Sequence, residues 1–307
     1  MPEINGFGVI EELSKKGIMK KVPVMIISSE ISAENENICF KYGVFDFIGR
    51  PFKTSIVRKR VQNMINIYVY KNHLEQQVQE QTAVLRKAYE KLEKQKERVE
   101  KLNKDILDML GTIVEFRNLE SGEHIMRVKG YTKILAEKFK ELYPEYNLTD
   151  EMIDNIVEAS ALHDLGKISI PDKILLKPGK LTKEEFEYMK LHTVKGCELI
   201  QAVNLEQSEE LKQICYDIIR YHHERYDGKG YPDGLKGDEI PVSAQLVSLA
   251  DVYDALINER CYKDAFSNEK AFNMIMNGEC GTFSPKLLET FKQVRDKFER
   301  FAIEERK

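Results

Sequence analysis

The stretch from about residue 68 to residue 113 constrains the fold most, because its heptad pattern is unbroken. It contains no proline, and its first glycine is Gly111. Apolar residues recur at steps of three and four, which places them along one stripe of a helix and is typical of a coiled coil. We therefore expect residues 68–113 to form a coiled-coil linker helix. The a positions are Val78, Leu85, Leu92, Val99, Ile106 and Ile113, and the d positions are Leu74, Gln81, Ala88, Gln95, Leu102 and Met109.

The residues at the a positions also indicate a partner for this helix. Several of them are β-branched, which favours two parallel strands, so the sequence predicts a homodimer. Gln81 and Gln95 at d weaken the seam and are suited to fixing its register. The alternative is a single solvated helix that packs against its own domain.

Residues 1–67 alternate short apolar runs with amphipathic stretches. Val22–Ser28 and Val44–Ile48 are apolar, β-branched runs bounded by polar residues, which is the pattern of buried strands. Helices are expected at Phe7–Lys16, Ala33–Tyr42 and Thr54–Tyr68. Alternating strands and helices predict a small parallel α/β segment.

Residues 114–307 are expected to be nearly all helical, apart from a loop rich in glycine and proline at Asp227–Pro241. The predicted fold is therefore mainly α, with an all-helical C-terminal domain, a long coiled-coil helix and a partial α/β N-terminal segment. The helices expected here and at its border are Asp105–Arg117, His124–Leu142, Asp150–Leu162, Lys183–His192, Lys195–Val203, Glu209–His222, Ser243–Ile257, Asn268–Asn277 and Lys286–Arg300.

The charge balance argues against one class of function. The 307 residues include 47 basic and 51 acidic side chains, which leaves a formal net charge of −4. No global basic field attracts nucleic acid, so we expect no nucleic-acid partner. A phosphate-bearing ligand must then be held by local cations or metal ions.

The cysteines and the hydropathy pattern indicate a compartment. The chain has 5 cysteines, which are far apart and form no Cys-x-x-Cys pair, and this argues against a disulfide framework or a zinc ribbon. The N-terminal residues lack the basic and apolar regions of a signal peptide, and no stretch approaches the ~20 apolar residues of a membrane helix. We expect a cytoplasmic protein with no membrane partner.

A set of histidines and carboxylates is concentrated after residue 114. A lone histidine or aspartate is more often solvated or hydrogen-bonded than a metal ligand, but these residues occur together. Asp251 stands in an otherwise apolar helical turn, where burial of a carboxylate without a partner is unfavourable. Asp254, one turn later, is expected to support the ligands rather than to bind metal. The candidate ligands are Glu120, His124, His163, Asp164, His192, His222, His223 and Asp251.

Imidazoles and carboxylates without thiolates form a mixed donor set that suits Fe, Mn, Co or Zn. The donors outnumber the needs of one ion, and Asp164 is placed to bridge two. Two ions a few Å apart lower the pKa of a bridging water and hold the attacking and departing oxygens of a phosphodiester. A nearby lysine can neutralise charge that develops on the phosphoryl oxygens.

Two long motifs resemble those of the HD-GYP family of HD-superfamily phosphohydrolases. Residues 162–172 are LHDLGKISIPD, and residues 222–235 are HHERYDGKGYPDGL. The segments KPGKLT at 177–182 and ADVYDAL at 250–256 match the family too, and the resemblance extends over about residues 111–300. It implies an all-helical domain that hydrolyses a cyclic dinucleotide such as cyclic di-GMP.

The resemblance also implies roles for individual residues. All the candidate ligands match metal ligands of the family, and Glu120 is expected in members that hold a third ion. The implied cofactors are two or three divalent ions, with Fe or Mn favoured. The implied catalytic residues are Asp164 and Lys167. The implied substrate-binding residues are Lys167, Tyr231, Arg260 and Lys263, with solvated side chains as the alternative for Arg260 and Lys263.

The expected reaction is hydrolysis of cyclic di-GMP to linear pGpG, with further cleavage to GMP left open. The residues do not identify the second base, so cyclic GMP-AMP is an alternative substrate. A different class of function is a catalytically slow module that senses a cyclic dinucleotide and signals to partners through the coiled coil. The complete HD and GYP motifs favour the enzyme.

Residues 1–67 resemble the C-terminal half of a response-regulator receiver domain. The run MPEING at 1–6, Ser28 and the run RPF at 50–52 match positions of that family. The phospho-acceptor aspartate would precede Met1, and Arg50 replaces the family's lysine, so we predict no phosphorylation of this chain. A small α/β cap without a switching role is the alternative.

Overall fold

The computed structural model describes residues 6–29, 32–117, 123–202, 209–259 and 265–304. The chain divides into two compact units, Met1–Lys96 and Glu97–Lys307. As predicted, the architecture is mainly α. The helices are α1 (Gly6–Lys15), α2 (Ile18–Lys21), α3 (Ala33–Lys41), α4 (Thr54–Arg117), α5 (Glu123–Leu142), α6 (Asp150–Ser160), α7 (Asp172–Leu175), α8 (Lys183–Ala202), α9 (Glu209–Tyr221), α10 (Val242–Ile257), α11 (Asn268–Met276) and α12 (Pro285–Glu304), and the strands are β1 (Met25–Ser28) and β2 (Asp46–Gly49).

The N-terminal unit is built on a two-stranded sheet. Strands β1 and β2 are parallel, with Met25 opposite Asp46 and Ser28 opposite Gly49. Both strands occur where the sequence predicts them, but they are shorter, because α2 ends just before Pro23 and the chain turns at Gly43 with a φ of 91°. The small core of this unit consists of Ile10, Cys39, Val44 and Phe47.

Helix α4 is continuous from Thr54 to Arg117. The sequence predicts three helical stretches here: Thr54–Tyr68, the linker helix at 68–113, and Asp105–Arg117. The separation between them was wrong, since one helix includes all three. The absence of proline permits the continuity, and Gly111 is accommodated because a Cβ there would lie 2.4 Å from the Ala161 carbonyl oxygen. Leu85 and Leu92 on the heptad stripe are 70% and 63% exposed.

Helix α5 is the centre of the C-terminal unit and packs against α6, α10 and α12. Its Tyr131 is fully buried and stacks on Phe298 with ring centroids 4.6 Å apart, while Tyr253 meets Tyr131 edge to face at 5.2 Å. Such aromatic pairs add to the area that they bury. Across the described parts of the chain, no helix combines the length and the apolar character needed to cross a bilayer.

Helix α8 runs without a break from Lys183 to Ala202. The sequence predicts two helices with a break after His192, and this was wrong, because His192 lies in the middle of α8. Gly196, which interrupts the apolar pattern, is needed for packing: the backbone of Gly166 lies against it. The missing side chains at these two positions permit the contact.

Candidate metal centre

The described candidate ligands converge in one pocket of the C-terminal unit. They come from the turn after α6, from the middle of α8, from the end of α9, from the first turn of α5 and from α10. Glu120, Arg260 and Lys263 lie outside the described residues. The ligands that the structure describes are His124, His163, Asp164, His192, His222, His223 and Asp251.

The first cluster of donors is rich in imidazole. Asp164, His192, His222 and His223 each offer an atom, and these atoms lie within 4.8 Å of one another. The Nε2 of His192 lies 3.3 Å from Oδ1 of Asp164, and the Nε2 of His222 lies 3.8 Å from the same oxygen. Asp164 is therefore the carboxylate that these three imidazoles face.

A second cluster adjoins the first. Glu115, His124 and His163 also offer donor atoms within 4.8 Å of one another. Oδ1 of Asp251 lies 3.5 Å from Nε2 of His124 and 3.9 Å from Nε2 of His163. The clusters meet where Nε2 of His163 lies 3.2 Å from Oδ2 of Asp164. Asp164 thus lies at the border of both clusters.

The backbone orients three of the imidazoles. The Nδ1 atoms of His163, His192 and His222 each lie 2.8–2.9 Å from a carbonyl oxygen three or four residues earlier. A carbonyl oxygen only accepts, so Nδ1 carries the proton in the neutral ring, and Nε2 keeps its lone pair. In their neutral form, these rings consequently point the Nε2 lone pairs into the pocket.

This arrangement fits a divalent metal. Within the described residues, Nε2 of His163, His192 and His222 and Oδ1 of Asp164 are buried without a hydrogen-bond partner. Buried acceptors that face one another are unfavourable unless a cation lies between them. Nitrogen and carboxylate donors without a thiolate suit Fe, Mn, Co or Zn.

The pKa values of the histidines in the pocket shift in both directions. Burial, reinforced by neighbouring imidazoles, lowers the pKa of His222 to about 3 and that of His223 well below its usual range, so both rings are neutral at pH 7. Burial also opposes a charge on His163, but Asp164 outweighs it and raises the pKa of His163 to about 10. Without a metal, His163 therefore carries a second proton, on Nε2, which would have to leave before that nitrogen could bind an ion.

Asp254 holds His124 in place, as the sequence predicts for a supporting residue. Oδ2 of Asp254 accepts from Nδ1 of His124 at 2.7 Å, and Oδ1 accepts from Nε of Arg127 at 2.6 Å. The ring of His124 is thereby turned so that Nε2 faces Asp251. Supporting carboxylates of this kind fix the tautomer and orientation of histidine ligands.

Lys167 and Arg117 hold the turn that carries Asp164. The Nζ of Lys167 lies 2.5 Å from Oδ2 of Asp164. Arg117, the last residue of α4, donates to the carbonyl oxygens of Lys167, Ile168 and Ile170 at 3.0, 2.6 and 2.9 Å. The end of α4 is therefore tied directly to this turn.

The glycine-rich loop closes one side of the first cluster. The ring of Tyr231 packs on His223 with centroids 4.7 Å apart. Buried Glu224 accepts from the backbone amides of Asp233 and Gly234 at 2.7 and 2.9 Å. A Cβ at Gly230 would lie 2.4 Å from Cα of Glu224, so the loop requires glycine there to approach the end of α9.

Two further glycines set how closely the turn after α6 approaches α8. A Cβ at Gly166 would lie 1.8 Å from the carbonyl oxygen of His192, and a Cβ at Gly196 would lie 3.1 Å from the backbone nitrogen of Gly166. The backbones beside Asp164 and His192 are therefore in direct contact.

Sequence reasoning missed Glu115 and the anchoring role of Arg117. Glu115 is 1% exposed on the last turn of α4. The signal that could have revealed it is its position directly after the apolar run Ile113–Val114 on a helix that enters the core. A carboxylate at such a position needs a counter-charge or a metal.

The fold and the site together define a class: a helical protein with a buried histidine–aspartate centre suited to divalent metal. Residues 122–287 match the family described as HD domain. The chain belongs to the HD-domain family, and its motifs and relatives support the HD-GYP type.

Several curated proteins are similar to this chain. A protein of Vibrio cholerae named "Probable cyclic di-GMP phosphodiesterase" is 35% identical, over 99% of this chain and 69% of that protein. The "Cyclic di-GMP phosphodiesterase" of Thermotoga maritima is 31% identical, over 98% of this chain and 79% of that protein. The "3'3'-cGAMP-specific phosphodiesterase 2" of Vibrio cholerae is 38% identical, over 64% of this chain and 35% of that protein.

Proposed function

We propose that this chain is a metal-dependent phosphodiesterase that hydrolyses cyclic di-GMP to linear pGpG, with GMP as the product of a second cut. The observation that carries the proposal is the set of three buried histidine Nε2 atoms that face Asp164, each on a ring held by a backbone carbonyl at Nδ1. The relatives named cyclic di-GMP phosphodiesterases, which align over nearly the whole chain, support the substrate.

The proposed ligands divide between the two clusters, with Asp164 shared. His192, His222 and His223 serve one ion, while His124, His163 and Asp251 serve the other. When bound, the divalent ions supply an activated water and neutralise the phosphodiester. We assign Glu120 to a third ion, and favour Fe or Mn among the metals that suit these donors, on the family resemblance.

Lys167 has a role that depends on metal loading. Its ammonium group pairs with Oδ2 of Asp164, and its side chain is 15% exposed. A metal ion held by Asp164 would use the same carboxylate, so Nζ of Lys167 would lie beside the bound ion and its substrate. The ammonium group then stabilises charge on a non-bridging phosphoryl oxygen.

Tyr231 is the proposed wall of the nucleotide pocket. Its ring covers His223 and lies with its centroid 6.3 Å from that of Phe186, so aromatic surface lies beside the first cluster. A base can stack on such a surface while its phosphate reaches the metal ions. Arg260 and Lys263 are proposed to bind the second phosphate, on the resemblance of their segment to the family.

A second cyclic dinucleotide is the alternative substrate. The relative named 3'3'-cGAMP-specific phosphodiesterase 2 is 38% identical over 64% of this chain, so the same centre is compatible with cyclic GMP-AMP. The chemistry at phosphorus is identical, and only the pocket for the second base differs.

The remaining parts of the chain belong to the same proposal. We propose a receiver-like segment at 1–67, a coiled-coil linker at 68–113 and the hydrolase domain at 114–307, in a cytoplasmic protein. The exposed Leu85, Leu92 and Val99 support pairing of two chains along α4. Inserting glycine after Gln95 shifts the heptad phase, and light scattering should then detect a weaker dimer. An unchanged dimer would contradict this part of the proposal.

The test of function begins with anaerobic purification and metal analysis. Chromatography then follows the turnover of cyclic di-GMP and cyclic GMP-AMP by wild type, Asp164→Ala and the control Asp217→Asn, which removes a charge on α9 outside the centre. We expect metal and turnover in wild type and in the control, and the loss of both in Asp164→Ala. If metal-loaded wild type binds the dinucleotides but cleaves neither, the enzyme hypothesis fails and the sensing module takes its place.

A further inference from the structure

Glu115 is a buried carboxylate at the second cluster that lies outside the HD and GYP motifs. It is 1% exposed, and one of its oxygens lies within 4.8 Å of ring nitrogens of both His124 and His163. We infer that Glu115 is a metal ligand that completes, with His124 and His163, a cation position beside the Asp164 cluster. The inference rests on the proposed function, since it adds a ligand to the same centre.

The two histidines of this position are oriented to leave one nitrogen each for a cation. The Nδ1 of His124 bonds to Asp254 at 2.7 Å, and the Nδ1 of His163 bonds to the Ser160 carbonyl oxygen at 2.9 Å. Nε2 is therefore the donor that remains on each ring. Two imidazole nitrogens together with carboxylate oxygens form a mixed donor set that suits a transition-metal ion such as Fe, Mn, Co or Zn.

Charge balance also favours Glu115 as a ligand. Two divalent ions in this pocket bring four positive charges, while Asp164 and Asp251 together bring two negative charges. Glu115 supplies a third negative charge at the cluster that otherwise depends on Asp251. Reducing the uncompensated charge matters here, because buried charges are stabilised only when they are paired or bind metal.

The chain holds Glu115 from both sides. One turn earlier, Gly111 lets α4 touch the Ala161 carbonyl oxygen, just before His163. Two residues later, Arg117 donates to Lys167 and Ile170 of the turn that carries Asp164. Both contacts hold this turn of α4 against the segment that carries His163 and Asp164. The carboxylate of Glu115 is therefore positioned before a metal ion binds.

The experiment measures metal retention by the full chain. Wild type, Glu115→Gln, Glu115→Asp, Glu120→Gln and the control Glu158→Gln are loaded with Mn²⁺ and dialysed against graded chelator, and bound manganese is counted by mass spectrometry. Glu158 is a largely buried carboxylate of the same unit that pairs with Lys129 at 2.7 Å, outside the centre. Circular dichroism checks the fold of each variant.

We expect Glu115→Gln to release part of its manganese at about 10–100-fold lower chelator concentration than wild type. Glu115→Asp, which retracts the carboxylate by one methylene, should give a smaller shift, and Glu158→Gln should give none. Retention by Glu115→Gln equal to that of Glu158→Gln overturns the inference, as does a wild type that retains no manganese. If the amide variant does not fold, unchanged retention by Glu115→Asp overturns it instead.

Retention and turnover separate the two proposals. A wild type that retains manganese but leaves both cyclic dinucleotides intact removes the proposed function, and the retention of the Glu115 variants still decides the ligand. If the wild type has full turnover and the Glu115→Gln variant keeps all its manganese, only the assignment of Glu115 as a ligand fails. If Glu120→Gln loses the ion and Glu115→Gln does not, the ligand is Glu120.

Discussion

The two units of this chain differ most in what their cores can bury. The N-terminal core consists of four apolar side chains, Ile10, Cys39, Val44 and Phe47, around two short strands. The C-terminal core extends through most of the helices from α5 to α12. Among the described residues, all the buried charged side chains lie in the C-terminal unit. A large apolar core is what permits a polar centre to be held out of water, since each buried polar group is unfavourable by itself.

The largest expected effect contrasts the two cores directly. Phe291 packs against the rings of Tyr253, Phe272 and Phe298 and is 0% exposed to solvent. Phe291→Ala should lower the free energy of unfolding of the C-terminal unit by about 3–5 kcal/mol. Phe47→Ala should destabilise the N-terminal unit by less, because Phe47 is 7% exposed in a small core. Hydrogen exchange resolved by segment under urea measures both.

In this comparison, each substitution serves as the control for the other. Phe291→Ala should leave exchange of β1 and β2 unchanged, and Phe47→Ala should leave exchange of α10 and α12 unchanged. Equal destabilisation of both units by either substitution would show that the cores are not independent.

A single methyl group should disable the metal centre. Gly166→Ala places a Cβ against the His192 carbonyl oxygen, so the turn with Asp164 must move away from α8. A displacement of about 1 Å at a catalytic group lowers turnover by about 100-fold. Gly6→Ala in the N-terminal unit meets no atom within 4 Å and should leave turnover unchanged. Wild-type turnover by Gly166→Ala would show that backbone contact does not position Asp164.

Helix α4 allows the same comparison along one element. Arg117→Ala removes the donors that hold the turn of Lys167, and kcat should fall by about 10-fold with a smaller change in KM. Arg117→Lys should recover only part of the loss, since one ammonium group cannot replace a planar fork of donors. Arg86→Ala, which removes an exposed pair with Glu90, should have no effect. Equal kinetics for the Arg117 and Arg86 variants would contradict a positioning role.

The smallest effect concerns cysteine reactivity. Burial raises the pKa of Cys215 to about 12 and also raises that of Cys39, so neither is a thiolate at pH 7 in the folded chain. Alkylation then depends on local opening, which should be easier around the small N-terminal core. Cys39 should react several-fold faster than Cys215 with iodoacetamide at pH 7, as measured by peptide mass spectrometry. Faster labelling of Cys215 would show that the N-terminal core opens less readily than the C-terminal core, contrary to this prediction.

The fold could be predicted from the sequence where structure is local. The period of apolar residues and the caps locate most helices: Thr149, for example, accepts from the Met152 amide at 3.1 Å at the start of α6. The break predicted after His192 was wrong, because α8 continues through it and packs there on the turn after α6 through the contact of Gly196 with Gly166. Periodicity does not report contacts between residues that are distant in sequence.

The residues of the candidate site likewise divide into those that local sequence could identify and those that it could not. Contiguous motifs pointed to His163, Asp164 and the pair His222–His223, because neighbouring residues in a turn stay together in any fold. Glu115 could not be identified so directly, since it is a single carboxylate in an ordinary helical turn. Its place at the centre depends on the approach of α4 to the segment after α6, which only the three-dimensional structure contains.

The contact between Gly166 and α8 has a consequence for how the centre is assembled. Gly166 follows Asp164 by two residues, and the carbonyl oxygen that a Cβ at Gly166 would meet belongs to His192. A single glycine therefore brings together an oxygen donor and a nitrogen donor, Oδ1 of Asp164 and Nε2 of His192, which lie 3.3 Å apart. A residue without a side chain thus helps to set the separation of two candidate ligands while supplying no donor atom itself.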